Sequence, residues 1–406
     1  MPANDRVVIT GMGIVSSIGI GRDEFWKNLI AGKSGITEID RFDTSSFPVH
    51  RAGEIKDFVA DEFFPRIISK RIGRGSQLAI AATKLALEDG MMNMGKSDIE
   101  GLGIIIGTTM GEAPSIEMID KFWMAKGEDD VYLSNIRNFP ANNLSDNVAR
   151  YFGFTNLNYV IPTACAAGNY SIGYASDLIR KGRRDMFLAG GADPLSKLAF
   201  TGFTRLFAMA PERCQPFDKN RKGMMLGEGA AMLLVESLKS AKKRRAKIYA
   251  EILGYGLSCD ASNMTIPSQK GIVKVMEKAI RNSGIKKKDV DYISAHGTGT
   301  GLNDRTESAA IKEVFGDLAK DIPASSIKSM LGHTMGTASA LEAITCCLAI
   351  CGGVIPPTIN FETPDPECDI DCVPNQARKR KVDIALNNSF AFGGNNACVA
   401  FGKYRN

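Results

Sequence analysis

Short apolar runs alternate with longer amphipathic segments along most of the chain. Residues 102–107 are predicted to form a buried strand ahead of a helix over 111–125, and residues 186–189 a second strand ahead of a helix over 195–208. Strands that alternate with helices are typical of α/β layers, in which helices cover the faces of a sheet. The first half is therefore predicted to be α/β rather than a barrel of short strands.

The second half follows the same plan, although no residue-level repeat relates it to the first. Strands are predicted at 292–295, 322–325 and 384–388, with helices over 304–315 and 334–350. The last of these helices contains the longest apolar stretch of the chain. Polar residues interrupt this stretch, and it is shorter than a membrane crossing requires. We therefore expect a buried core helix and no membrane span.

The length of the chain predicts two packed domains. Its 406 residues exceed the 50–250 that one domain usually contains. We place the domains at 1–246 and 247–406, because the basic stretch 239–247 lies between predicted strands at 231–235 and 248–253. The alternative for this stretch is a helix end that faces water, as short charge runs usually do.

The charge balance argues against nucleic acid as the default partner. The chain has 50 Lys and Arg against 45 Asp and Glu, a formal net charge of +5. This mild excess suits an acidic protein partner if it is concentrated near an entrance. The first residues lead directly into a strand-like run without a basic start and apolar core, so we expect a cytoplasmic protein.

The nine cysteines show no paired spacing of a secreted scaffold, so reduced thiols are expected. Cys346, Cys347 and Cys351 lie in the apolar helix and are predicted to pack as small hydrophobic residues. Cys368 and Cys372 have no histidine nearby, and the chain contains three histidines in all. We therefore expect no zinc or other metal site.

Cys165 is predicted to lie at the start of a helix. A strand-like run ends before Pro162, and small residues follow from Ala164 to Gly168, leaving room for a substrate beside the sulfur. Unpaired N–H groups and the helix dipole favour a thiolate at such a position, which lowers the pKa of the thiol. The alternative is a buried cysteine that fills a gap in the core.

Two histidines occupy glycine-rich turns after predicted strands. His296 opens His-Gly-Thr-Gly-Thr, and His333 follows Gly332. Ligand sites of α/β sheets form at the carboxyl ends of the strands. A lone loop histidine is usually structural, and His50 is predicted to be a surface residue. Together with Cys165, however, His296 and His333 predict one catalytic constellation.

Five segments of the chain, in the right order, resemble signatures of the β-ketoacyl-carrier-protein synthases, type II branch, within the thiolase superfamily. They are Thr163-Ala164-Cys165, residues 216–230 with Pro-Phe-Asp and Gly-Glu-Gly-Ala, residues 296–300, Lys328-Ser329 with Gly332-His333, and residues 388–395 with Asn-Ser-Phe-Ala-Phe-Gly-Gly-Asn. The resemblance implies an α/β thiolase fold of two duplicated halves in a five-layer αβαβα arrangement. It also implies a homodimer with a tunnel leading to each cysteine.

The same resemblance implies a reaction. An acyl group would pass to Cys165, and decarboxylative Claisen condensation with malonyl-carrier protein would give a 3-oxoacyl product. His296 and His333 would stabilise the enolate, and Lys328 would orient a histidine through a network that includes Glu342. The backbone N–H groups of Cys165 and Phe392 would form the oxyanion hole, with Phe392 as a gate.

The resemblance also implies how substrates are bound. Thr298 and Thr300 would hold the pantetheine arm, and Met110 with Phe203 would line the acyl pocket. Lys70, Arg71 and Arg205 would contact an acidic acyl-carrier protein. No cofactor is implied beyond the phosphopantetheine of that carrier. Asp304 and Glu307 match the family too, but acidic residues are favourable at a helix start in any case, so they are left out of the site.

Ala391 departs from the family, because glycine is common there and permits backbone conformations that alanine resists. Two other functions remain open. One is a non-catalytic partner subunit of the chain-length-factor type, against which Cys165 argues. The other is a thiolase-like degradative enzyme or cysteine hydrolase, but after His333 only Cys398 is even a remote candidate for a thiolase's second cysteine. The acyl chain, and a fatty-acid or a polyketide or polyene pathway, cannot be read from the sequence.

Overall fold

A computed structural model describes residues 6–92, 99, 101–127 and 133–405. Within these ranges eleven strands form one mixed sheet, and four short strands form two separate antiparallel pairs. The strands are β1 (Val7–Ser16), β2 (Gly19–Ile20), β3 (Thr37–Glu38), β4 (Arg51–Ala52), β5 (Gly103–Gly107), β6 (Asn158–Ile161), β7 (Met186–Asp193), β8 (Gly229–Ser237), β9 (Ala250–Cys259), β10 (Tyr292–Ser294), β11 (Ala324–Ser325), β12 (Val354–Ile355), β13 (Arg378–Lys379), β14 (Ile384–Phe390) and β15 (Asn395–Gly402).

Helices separate most of these strands. The α-helices are α1 (Arg22–Ile30), α2 (Arg66–Ser69), α3 (Arg74–Asp89), α4 (Ala113–Lys126), α5 (Leu133–Asn138), α6 (Asn143–Phe152), α7 (Ala167–Arg180), α8 (Lys197–Arg205), α9 (Leu238–Lys243), α10 (Gln269–Ser283), α11 (Gly301–Phe315), α12 (Lys328–Leu331) and α13 (Ala338–Gly352). Single 3-10 turns include Ala164–Ala166 and Met335–Thr337. The predicted alternation of strands and helices is confirmed.

The strand order repeats once along the chain. One half of the sheet runs β6-β5-β7-β8-β1 and the other β11-β10-β14-β15-β9. When the five strands of each half are numbered in chain order, both halves have the spatial order 3-2-4-5-1. In both halves the first three strands of this order are parallel and the next two pairings are antiparallel. The halves meet where β1 pairs with β9. The duplicated fold implied by the resemblance is confirmed.

Helices complete five layers. In the outer layers, α3 and α6 pack on the first half of the sheet, while α10 packs on β9 and β15 and against α11. Between the halves, α7 and α13 pack against each other and against strands of both halves. They approach closely because of Gly168, where an added Cβ would lie 2.7 Å from the Ala340 nitrogen. This contact brings the start of α7 into the centre of the molecule.

Helix α13 and the turn before it form the most apolar segment of the core. Residues 335–352 are long and apolar enough to cross a membrane by composition, but 89% of this window is buried inside the protein. The prediction of a buried core helix is therefore confirmed. Cys346 and Cys347 are fully buried as expected, whereas Cys351 is exposed, so its predicted burial is wrong. Cys351 lies in the last turn, where the helix emerges from between the layers.

The basic stretch 239–247 lies largely on α9 and the turn after it, between β8 and β9. Lys242, Lys243 and Arg245 are exposed there. This stretch lies between strands of the two halves of the sheet, and its exposed side chains fit the alternative of a helix end that faces water. The division at 246/247 stays a prediction.

Candidate active site

Cys165 lies in the tight turn between β6 and α7. The 3-10 turn Ala164–Ala166 carries it, and the α-helix begins two residues later, at Ala167. Ala164 has a φ of 49°, a left-handed conformation that is unfavourable for alanine. The Ser389 hydroxyl on β14 donates to the Cys165 carbonyl oxygen at 2.9 Å. The turn is thus fixed from the other half of the sheet.

The sulfur of Cys165 is buried and surrounded by donors. The backbone N–H groups of Cys165 itself and of Phe392 lie close enough to the sulfur to lower the pKa of the thiol. Burial raises the pKa of the thiol to about 11, although the Lys328 charge and the two N–H groups oppose this shift. The predicted lowering of this pKa is therefore wrong for the free protein, because the loss of solvation outweighs the effect of the helix end. This raised pKa favours the thiol form of Cys165 at neutral pH.

Two carboxylates shape the loop that carries His296. The Glu307 side chain accepts the N–H groups of His296 at 2.9 Å and Gly297 at 2.8 Å. Asp304 accepts the N–H groups of Thr298 and Gly299. Both acids are fully buried. Asp304 and Glu307 were not predicted as site residues, because acidic residues are favourable at a helix start in any case. Their spacing of three residues, immediately after the glycine-rich loop, was the available signal.

His333 is fixed as one tautomer. Its Nδ1 accepts the Met335 N–H at 3.0 Å, so the ring proton lies on Nε2. Met335 begins the 3-10 turn before α13 and has a φ of 51°. This turn, Thr334-Met335-Gly336-Thr337, repeats the backbone of Thr163-Ala164-Cys165-Ala166 in the first half, where Ala164 has the same left-handed conformation. The two duplicated halves therefore supply equivalent turns.

Lys328 links His296 to Glu342 in a buried cluster. Its ammonium group donates to the His296 carbonyl oxygen at 2.7 Å, lies 3.3 Å from His296 Nδ1, and contacts Glu342 Oε1. With this donor at Nδ1, the His296 proton also lies on Nε2. Burial raises the pKa of Glu342 to about 7, while Lys328 opposes this shift.

The two imidazoles are neutral. Their ring centroids are 5.4 Å apart with an interplanar angle of 83°. Burial lowers the pKa of both His296 and His333 well below the ordinary value, and the nearby Lys328 charge adds to the effect. Both rings therefore provide Nε2–H donors without a positive charge.

One cavity of about 310 Å³ joins the predicted nucleophile, histidines and threonines. The Thr298 and Thr300 hydroxyls lie 2.9 Å apart on its wall. Phe203 and Phe392 also line it, with ring centroids 5.9 Å apart. The lining comprises Cys165, Phe203, Leu206, Phe207, Ala208, Met224, Asp260, Asn263, Met264, Thr265, Ile266, Pro267, His296, Thr298, Thr300, Gly301, Leu302, Asn303, His333, Phe390, Ala391, Phe392 and Gly394.

Met110 lies behind this wall rather than on it. Its side chain is partly buried and packs against the same apolar cluster as Phe203. Its N–H donates to Asp193 Oδ1 at 3.0 Å, and Asp193 also accepts the Gly336 N–H at 2.8 Å. Asp193 therefore connects the turn that carries Met110 to the turn that follows His333.

The three predicted carrier-protein contacts are exposed. Arg205 ends α8 and directly precedes Leu206 and Phe207, which line the cavity. Lys70 and Arg71 follow α2. Across the parts of the chain that the structure describes, no carboxylate forms an ion pair with these three side chains.

Ala391 fits its position without strain. It is buried, and it is not among the residues with positive φ. Gly393 and Gly394, with φ of 84° and 80°, provide the left-handed conformations of this loop. Alanine at 391 therefore adds no left-handed strain to the loop that carries Phe392.

Two family models match the two halves of the chain, and both describe the same family. Residues 4–241 match Beta-ketoacyl synthase, N-terminal domain, and residues 249–362 match Beta-ketoacyl synthase, C-terminal domain. A 3-oxoacyl-[acyl-carrier-protein] synthase 2 of Synechocystis sp. is 39% identical over 409 residues, covering 98% of each chain. One of Staphylococcus aureus is 38% identical over 412 residues, covering 100% of each.

Solved structures agree. The chain is similar to the ishigamide ketosynthase/chain length factor, with a TM-score of 0.96 and 45% identity over 99% of this chain and 100% of that one. It is also similar to a type II polyketide synthase ketosynthase solved with its acyl-carrier protein, with a TM-score of 0.90 and 33% identity over 99% and 100%. The chain therefore belongs to the β-ketoacyl synthase family of acyl-transferring condensing enzymes.

Proposed function

We propose that Cys165 carries the growing acyl chain and that His296 and His333 stabilise the enolate that attacks it. The convergence of these three side chains on one cavity supports this proposal most directly. In the first half-reaction the Cys165 sulfur attacks a pantetheine thioester. A carbon–sulfur bond to Cys165 forms, the bond to pantetheine breaks, and the pantetheine sulfur takes the proton that Cys165 loses.

The N–H groups at Cys165 and Phe392 form the oxyanion hole in this proposal. Both N–H groups lower the pKa of the Cys165 thiol and so lie near its sulfur, where the carbonyl oxygen of a thioester on Cys165 would also lie. Each half-reaction passes through a tetrahedral intermediate with negative charge on this oxygen. Loss of one such donor typically costs about 3 kcal/mol of transition-state stabilisation.

The histidines act in the second half-reaction. Malonyl-carrier protein loses CO₂, and the electron pair of the broken bond forms an enolate, whose oxygen receives the Nε2–H donors of His296 and His333. The enolate carbon then forms a bond to the carbonyl carbon of the Cys165 thioester, the carbon–sulfur bond breaks, and the released Cys165 thiolate takes up one proton from water. Neutral imidazoles suit this step, because each has a donor but no charge that would bind the malonyl carboxylate and hold it in place.

Lys328 and Glu342 are positioning residues in this scheme. The Lys328 ammonium group holds His296 through both the carbonyl oxygen and Nδ1, and Glu342 compensates its buried charge. Thr298 and Thr300 would bind the amides of the pantetheine arm, which reaches Cys165 along the cavity. The scheme needs no metal or prosthetic group of its own.

An acyl-carrier protein is the proposed partner. One structural relative was solved with its acyl-carrier protein, and curated relatives carry the name of this partner.

We further propose a homodimer in the cytoplasm. Strand β6 is an edge of the sheet, and Tyr159 on it stacks edge-on with the half-exposed Tyr174, which offers a surface to a second copy. The mass of the protein in solution tests this assembly.

The relatives include both fatty-acid-type synthases and polyketide ketosynthases, so the proposed pathway class covers both. The chain-length-factor alternative is not better supported, because Cys165 is present with both histidines on one cavity. A thiolase would accept acyl-CoA and need no malonyl carboxylate.

The decisive experiment incubates the protein with a panel of acyl-carrier-protein thioesters and malonyl-carrier protein. Intact mass then gives Cys165 acylation and the product, and absence of both would reject the proposal.

Replacement of Met110 by Trp is expected to shorten the longest accepted acyl chain. Met110 packs in the same apolar cluster as Phe203, which lines the cavity, so added volume would displace Phe203 inward. The measurement is Cys165 acylation with thioesters of increasing length. Met118→Trp, at an exposed position on α4, is the size-matched control. An unchanged length profile in folded Met110→Trp would reject a role in the acyl pocket.

Reversal of the charges of Lys70 and Arg205 to Glu is expected to raise the KM for carrier-protein substrates about tenfold at low salt, because complementary charge accelerates association with an acidic partner. The KM for acyl-pantetheine should change less than twofold. Arg183→Glu with Arg184→Glu makes the same change in net charge at another exposed site and serves as the control. Equal effects on both substrates would contradict a contact with the carrier protein.

A further inference from the structure

Asp193 is a fully buried carboxylate that the proposed reaction scheme does not use. It is the last residue of β7, where the sheet pairs it with Gly229 on β8. Burial raises the pKa of Asp193 to about 6, so the group is mostly ionised at neutral pH. Within the described ranges no Lys or Arg forms an ion pair with it. A buried charge of this kind is costly unless hydrogen bonds replace its hydration.

The two oxygens of Asp193 accept hydrogen bonds from two different turns. Oδ1 accepts the Thr108 hydroxyl at 2.7 Å and the Met110 N–H at 3.0 Å, in the turn that follows β5. Oδ2 accepts the Gly336 N–H at 2.8 Å, in the 3-10 turn Met335–Thr337. An amide side chain has only one acceptor oxygen, so asparagine could not satisfy both turns. A carboxylate at 193 is therefore required to hold them together.

The contact with Gly336 reaches His333 through one residue. The Met335 N–H, directly before Gly336, donates to His333 Nδ1 at 3.0 Å and leaves the ring proton on Nε2. The turn packs tightly on β7, because a Cβ on Gly191 would lie 2.8 Å from the Gly336 carbonyl oxygen, and one on Gly336 2.7 Å from Asp193 Oδ2. The position of the Met335 N–H thus depends on the end of β7.

We propose that Asp193 is a positioning residue for the second half-reaction, because its Oδ2 holds the turn from which Met335 orients His333. This inference rests on the proposed function, in which His333 donates Nε2–H to the enolate oxygen. It gives Asp193 a task like that of Glu307, which accepts the N–H groups of the His296 loop. Each histidine is then oriented by its own buried carboxylate through backbone N–H groups.

The charge of Asp193 supplies a second, independent effect. Burial is the largest cause that raises the pKa of the Cys165 thiol; the Asp193 charge adds to this shift, while Lys328 opposes it. Removal of the charge should therefore lower the pKa of Cys165 and increase its thiolate fraction. Loss of the Asp193 carboxylate is thus expected to impair the histidine and activate the thiol. A residue that only supported the fold would not produce effects of opposite sign.

The test is Asp193→Asn. The amide oxygen should stay with the donors of the turn after β5, which leaves the amide N–H groups facing the Gly336 N–H and displaces that turn. We expect release of CO₂ from carboxyl-labelled malonyl-carrier protein to slow about tenfold, since small misplacements of a catalytic group are costly. Cys165 should still accept an acyl group, and its alkylation by iodoacetamide should be about threefold faster in neutral solution. Intact mass measures both modifications.

Gly336→Ala separates position from charge and still tests the inference if Asp193→Asn does not fold. The added Cβ displaces the turn from Asp193 but keeps the carboxylate, so decarboxylation should slow while alkylation of the thiol stays at the parent rate. Glu112→Gln is the matched control. Glu112 is also buried and accepts the N–H groups of Gly75 and Ser76, so the change should cost stability without altering either rate.

A decarboxylation rate at the parent level in folded Asp193→Asn and Gly336→Ala would overturn the inference. An equal loss in Glu112→Gln would also overturn it, because the effect would then follow from lower stability alone. A parent protein that releases no CO₂ would instead refute the proposed function on which the inference rests.

Discussion

Cys165→Ala is expected to abolish self-acylation and condensation while decarboxylation of malonyl-carrier protein stays measurable. The thiol is the acceptor of the acyl group, but the enolate depends on the Nε2–H donors of His296 and His333, which this change leaves in place. Intact mass spectrometry measures acylation, and release of CO₂ from carboxyl-labelled malonyl-carrier protein measures decarboxylation. Loss of both activities in a folded Cys165→Ala protein would contradict the division between thiol and imidazoles.

Cys398→Ala is the matched control for this experiment. Cys398 is also fully buried, but it lies on β15 opposite Asn388 and does not line the cavity. Its removal should lower stability by the usual cost of a small buried side chain and leave acylation intact. Full condensation activity in Cys165→Ala, or loss of acylation in folded Cys398→Ala, would show that the nucleophile has been assigned to the wrong cysteine.

His333→Ala is expected to have the opposite profile. Cys165 should still accept an acyl group, since the two N–H donors at its sulfur remain, but decarboxylation should slow about 100-fold, the usual effect of losing one preorganised donor. Single-turnover rates of the two half-reactions measure this split. His296→Ala should change in the same direction. His50→Ala, outside the cavity lining, is the control.

The pH dependence tests the protonation state of these histidines. Because burial and Lys328 hold the pKa of His333 and His296 well below 6.5, both rings are neutral throughout the neutral range. Ring protonation should therefore cause no loss of the decarboxylation rate of Cys165→Ala between pH 6.5 and about 8, and a loss from this cause should begin only in more acidic solution. Any change within that range would come from Glu307 and Glu342, because burial raises the pKa of each to about 7. A rate that increases on acidification through pH 6.5 would indicate a charged imidazole and contradict the proposed donors.

Much of the fold could be predicted from local pattern. The strands predicted at 102–107 and 384–388 are observed as β5 and β14, and the helix predicted at 304–315 begins three residues earlier because Thr300 caps α11. The two-residue strands β3 and β4 were missed, since their pairing depends on distant parts of the chain rather than on alternation. The duplication of the two halves could be predicted only from the family resemblance. The halves share no residue-level repeat, because many different apolar sequences can fill equivalent layers of a core.

The site was predicted less completely than the fold. The pattern of the chain predicted that Cys165, His296 and His333 belong together, since each follows a strand at the same edge of the sheet. It could not predict the sign of the Cys165 pKa shift, which depends on burial by distant residues. It also gave no role to Glu307, because an acid at a helix start has a local explanation until its contacts with the His296 loop are seen.

The equivalent turns of the two halves contribute different groups to one cavity. The first turn carries Cys165, and the second fixes His333. Gly336 occupies in the second turn the place that Cys165 has in the first. A Cβ on Gly336 would lie 2.7 Å from Asp193 Oδ2 and from the Thr108 carbonyl carbon, so no side chain fits there. Only the first of the two equivalent turns therefore has room for a side chain such as that of Cys165. The second turn instead positions His333, whose Nδ1 accepts the Met335 N–H. A cysteine at 336 would require Asp193 or the Thr108 backbone to move, so the two halves are equivalent in fold but not in chemistry.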